Sequence, residues 1–110
     1  MLYTNFKVGE KEYKLRLTAK NLVEVEKKLG ENPINAIMRI VNDDKIPEIS
    51  CLLTILWGAM QAFTPNMTMD AVYGIYDEFV DDGNTLTELV PVLMNVFKVS
   101  GFIKNDIEKN

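Results

Sequence analysis

The chain has 110 residues, a formal net charge of −4, 47% apolar and 25% charged residues. That length predicts one domain that buries roughly 60–70% of its unfolded surface without staples; the acidic balance disfavours nucleic acid and anionic membrane, since both require clustered Lys and Arg. Histidine is absent and Cys51 is the single cysteine, so the commonest general base, the usual zinc sites and an internal disulfide are all excluded.

The first elements are extended. Leu2, Thr4, Phe6 and Val8 share one side of the chain, with Asn5 and Lys7 on the other. Tyr13, Leu15 and Leu17 repeat this period of two against Lys14 and Arg16. The polar segment Gly9-Glu10-Lys11-Glu12 joins them, so a β-hairpin is predicted over residues 2–17. Two strands are marginal in water, so helices must cover their apolar face.

Thr18 is placed to cap a helix that Gly30 ends. Leu22, Val25 and Leu29 form its stripe, Glu24 and Lys28 stand four apart, and Lys27 and Lys28 suit the C-terminal end of its dipole. Asn32-Pro33 reads as the cap and first residue of a second helix, with Ile34, Ile37, Met38 and Val41 inward and a polar break at Asn42-Asp43-Asp44.

Pro47 and Glu48 open a central helix that is apolar on both sides and is therefore expected inside. Ile49, Leu52, Leu53, Leu56, Met60 and Phe63, with Trp57, line its large side. Cys51, Ile55, Gly58 and Ala62 line a small side that permits close approach of a neighbour. No charge occurs from Ile49 to Met69. The continuous apolar part is still only about 15 residues, or roughly 22 Å of helix, short of the ~30 Å hydrocarbon core. A membrane span is not expected, and without an apolar N-terminal run neither is a signal peptide.

Thr64-Pro65 closes the central helix. Thr68 caps a fourth one, with Asp70 in its first turn, the stripe Met69, Val72, Tyr73, Tyr76, Phe79 and Val80, and Gly83 at its end. Thr85 or Thr87 caps a fifth reaching Ser100; Pro91 suits its first turn only if Thr87 is the cap, and otherwise kinks it. The predicted whole is an α+β protein, mainly α, with an N-terminal β-hairpin packed on a bundle of about five helices: a single domain over residues 1–104, helices within 18–100, and a frayed polar tail at 105–110.

The fifth helix carries more apolar residues than one buried face needs. Leu89, Val90, Leu93 and Phe97 suffice for a core, which leaves Val92, Val96 and Val99, with Phe102 and Ile103 beyond, as a candidate protein interface. The alternative is that the helix is sandwiched inside the domain. Elsewhere the chemistry is bland. Asp77, Glu78, Asp81 and Asp82 lack the alternating spacing and glycine of a calcium loop and read as a solvated helix end. Ser50 and Ser100 have no base to activate them, Tyr73 and Tyr76 read as core packing, and Cys51 reads as an inert buried thiol. No catalytic, cofactor or metal residue is assigned, and the chain is not expected to be an enzyme.

The strand-to-helix run YKLRLTAKNLVEVEKKLG, followed by NPINAIMRI and SCLLTILWGAMQAF, resembles the tail assembly chaperones of long-tailed phages and prophages of Gram-positive bacteria. Leu15, Arg16, Leu17, Leu22, Glu26, Leu29, Gly30 and Trp57 carry the likeness, which covers residues 12–63; beyond Thr64 only helical character and length correspond. The resemblance implies a non-catalytic protein of the bacterial host cytoplasm. It would associate with itself, coat the helical tape measure protein and keep it soluble. It would reach the tail tube protein through a longer frameshifted form, and be absent from the mature virion. The competing expectation is a head–tail connector or tail completion protein that stays in the particle. A DNA-binding regulator is a third reading, weakened because the second helix carries only Arg39 as a cation.

Overall fold

The computed structural model describes residues 1–43 and 48–104, so the expectations for Asp44, Pro47 and the 105–110 tail lie outside the described residues. Strand β1 (Thr4–Val8) pairs antiparallel with β2 (Lys11–Leu15), with Phe6 opposite Tyr13 and Val8 opposite Lys11. Five helices follow: α1 (Ala19–Leu29), α2 (Pro33–Asp43), α3 (Ile49–Met60), α4 (Met69–Asp81) and α5 (Leu86–Val99). The protein is thus α+β, mainly α, with its hairpin at the N-terminal side as predicted.

The hairpin turn is tighter than expected. Lys11 and Glu12 belong to β2, which leaves a two-residue turn in which Gly9 takes φ +60°. A positive φ at the first central position suits the right-handed twist of the flanking strands and is open to glycine at little cost. Leu2 falls outside the pairing and is exposed rather than on the buried face. Arg16 also departs from its expected outward position. Its Nη1 donates to Leu2 O at 3.0 Å and to Val99 O at 3.2 Å, which sets a cation against the C-terminal carbonyls of α5.

Local signals placed the helix ends. Thr18 Oγ1 accepts from Asn21 N–H at 3.1 Å and Gly30 closes α1 at φ +72°. Asn32 Oδ1 accepts from Ile34 N–H at 2.8 Å, and Thr68 Oγ1 from Ala71 N–H at 3.1 Å. The Glu24–Lys28 pairing gives way to other partners: Glu24 Oε1 accepts from Asn21 Nδ2 at 3.1 Å, and Lys28 Nζ sits 4.8 Å over the Trp57 ring. The Trp57 indole donates to Met67 O at 2.8 Å, and Gln61 Nε2 reaches the same carbonyl at 2.9 Å, which pins the α3–α4 connection.

Thr85 is the cap of α5, and Glu88 Oε1 accepts from its N–H at 3.1 Å. Pro91 therefore lies in the helix interior, where it withholds a donor from the Thr87 carbonyl; both residues are exposed, so water can reach the freed group. Pro91→Ala is expected to raise stability by about 1–3 kcal/mol, less than the full helix penalty because proline also restrains the unfolded chain. Urea titration measures this directly, and an unchanged midpoint would show that the ring costs α5 no more than it gains by restraining the unfolded chain.

Helix α3 is the hub. It packs against α1, α2, α4, α5 and β2, and Arg16 N–H donates to Ala59 O at 2.9 Å where the hairpin leaves for α1. One apolar cluster joins Phe6, Val8 and Leu15 of the hairpin to Val25, Ile37, Leu52, Ile55, Leu56, Phe79, Leu93 and Phe97. The inward faces of two helices are rotated from their predicted positions. In α2, Pro33, Ala36 and Ile37 are buried while Val41 is exposed; in α4, Val72, Ile75 and Phe79 are buried while Tyr73 and Val80 are exposed. Small Ala36 lets α2 lie close to its neighbours, and Phe79 meets Phe6 of the hairpin with ring centroids 5.3 Å apart.

Candidate functional site

The predicted interface on α5 does not form one face. Val96 has 0% exposure and belongs to the core, so its assignment to a partner surface is corrected. The physical reason is that α3, α2 and β1 all pack on α5, and a helix held on several sides buries more than one stripe. Val92 is half-buried against the same core. Val99, Phe102 and Ile103 do converge, together with Leu2, around a groove of ≈ 410 Å³ edged by Lys98 and Lys104. These three are half-buried, and Phe102 N–H donates to Phe97 O at 3.0 Å, which folds the segment back on the helix end.

A second apolar exposure lies along α3 and α4. Ile49 at the start of α3 is 47% exposed, and Tyr73 and Val80 on α4 are 48% and 42% exposed. Ile49, Leu53, Tyr73 and Tyr76 line a groove of ≈ 340 Å³ between α3 and α4, with Ser50 and Asp77 at its rim. Tyr73, Tyr76 and Val80 stand at i, i+3 and i+7, a second stripe beside the buried one at Val72, Ile75 and Phe79. Sequence reading assigned these tyrosines to the core. The signal that α4 has two stripes was present, because eight apolar or aromatic residues exceed what one buried face can hold.

The acidic end of α4 makes a structural contact. Asp82 Oδ2 accepts from Gly9 N–H at 3.3 Å, tying α4 to the hairpin turn. Among the described residues no group of three or more His, Cys, Asp or Glu side chains converges as a metal site would. None of the described helices is long and apolar enough to cross a membrane.

Cys51 is buried, and its thiol is pushed above its ordinary pKa chiefly by burial, with Glu31 and Glu48 adding to the rise and Arg39 opposing it. A raised pKa depletes the thiolate, which is the nucleophile. Alkylation by iodoacetamide near neutral pH is expected to run on the order of tenfold or more slower in the folded protein than in urea. Equal rates would show that the α3 N-terminus opens readily.

Fold and surface together define a small hairpin-and-helix protein with an exposed apolar groove beside its central helix. The chain belongs to the family of unknown function DUF6096, whose model matches residues 3–110. No curated protein and no solved structure matches it.

Proposed function

We propose that this protein is a non-catalytic binding protein that associates with itself and keeps a long helical client soluble, as a tail assembly chaperone does for the tape measure protein. The α3–α4 groove carries this reading. It exposes large apolar and aromatic side chains that the chain's own core leaves uncovered, and such a strip suits an amphipathic helix. The likeness of residues 12–63 to the chaperone family supplies the biological setting: the cytoplasm of a bacterial host during tail morphogenesis, with the protein released before the virion matures.

Co-expression tests the reading. A long, helical tape measure protein is expected to shift into the soluble fraction when both are made together. A client that stays insoluble at equal expression overturns the chaperone role. Self-association has its own readout, since light scattering should give a mass above that of one chain, rising with concentration.

A further inference from the structure

Asymmetry of charge around the α3–α4 groove narrows the kind of helix that would fit it. Helix α3 has no charged residue, and α4 carries Asp70, Asp77, Glu78 and Asp81 with no lysine or arginine. The groove floor is Leu53, 3% exposed, and its walls are Ile49, Tyr73 and Tyr76. From Tyr73 to Val80 the exposed stripe runs about two turns, or roughly 10 Å. An apolar trough between two helices accepts a third helix as a ridge, and aromatic walls give the anchoring contacts that dominate such sites. A helix lying there with acidic flanks would meet like charges. One with cationic flanks would meet Asp77, the carboxylate at the groove's rim, as a partner, which favours encounter and register.

We propose that this groove docks an amphipathic helix of another polypeptide whose apolar ridge is bordered by lysines or arginines. The inference rests on the client-holding role above and adds its docking face and the chemistry of the client. A second copy of this chain is a poorer occupant. Of its cation-bearing helices, α1 exposes Val23 as its one large apolar side chain between Lys20 and Lys27, and α2 exposes Val41 with Arg39 as its one cation, too little for a ridge in either. The apolar segment near Lys104 lies past the end of α5 and is half-buried on its own domain.

Two labelled peptides of about 18 residues test this, each with leucines at i, i+3, i+4 and i+7, one flanked by lysines and the other by glutamates. Fluorescence anisotropy with the full chain should show the lysine peptide binding about tenfold or more tightly, and weakening as salt rises from about 0.05 to about 0.5 M. Tyr73→Glu should weaken it about tenfold through the lost anchor, and Asp77→Lys should shift preference toward the glutamate peptide. Both positions are exposed, so thermal melts should match the parent chain.

Equal binding of the two peptides, binding of neither, or full affinity in the folded Tyr73→Glu variant overturns the proposal. So does sedimentation showing that Tyr73→Glu dissociates a homodimer that the lysine peptide does not displace, because the face would then belong to a second copy. The two readings fail separately. A client still solubilised by Tyr73→Glu would place docking elsewhere and leave the holding role intact. Lysine-peptide binding by a chain that solubilises no client would keep the groove and remove that role.

Discussion

Gly58→Ala is expected to destabilise the protein by about 1–3 kcal/mol, although alanine is roughly 1 kcal/mol better than glycine inside a helix. A Cβ at this position would stand 2.2 Å from Val25 Cγ2 and 3.3 Å from Leu17 Cδ2, with Asn21 O at 3.7 Å. Real contacts of that kind lie near 3.5–4.0 Å, so something must move. Val25 cannot swing aside, because a β-branched side chain in a helix has one strongly preferred rotamer and this one is fully buried. The backbones of α1 and α3 must separate instead, against the Arg16–Ala59 hydrogen bond at the entry to α1. Gly58→Val should exceed the alanine effect. A double-mutant cycle with Val25→Ala isolates the cause, since removing the methyl that is struck should recover about 1 kcal/mol or more relative to additivity. Urea midpoints at constant slope give the measurement. A neutral Gly58→Ala would mean that the two helices are not seated this closely.

That close approach was legible in the sequence, since Gly58 falls on the small-residue side of the central helix. So were the helix ends, for the same kind of reason: a threonine before α1 and α4, Asn-Pro before α2, and glycines after α1 and α4 act within one turn and need no distant partner. What could not be read was rotation about the helix axis. In α4 two stripes compete, and the choice of Val72, Ile75 and Phe79 over Tyr73 and Val80 is made by Phe6 and by α3, residues remote in the chain. In α2, Ala36 contributes little apolar area to any stripe, yet it marks the face that packs. The α3–α4 groove was hidden for a further reason. Ile49 and Tyr73 meet only because the α3–α4 connection folds back, held by Trp57 and Gln61 on one carbonyl.

Phe97→Ala is expected to cost about 3–5 kcal/mol, a large share of the 5–15 kcal/mol typical of a domain. Phe97 is 0% exposed on a helix packed against α3, α2 and β1, and a close-packed interior does not collapse into such a space without moving a whole element. The neighbouring positions turn this into a test of how α5 is used. Val96→Ala should lose about 1.5–3 kcal/mol, because two buried carbons leave and a cavity remains. Val99→Ala, half-exposed at the helix end, should lose under about 1 kcal/mol. If α5 instead kept a free face for a partner, Val96→Ala would melt like Val99→Ala in the isolated chain and its cost would appear only in an assembled complex. The ordering of these three variants in urea therefore decides whether the apolar excess of α5 serves the domain's own core.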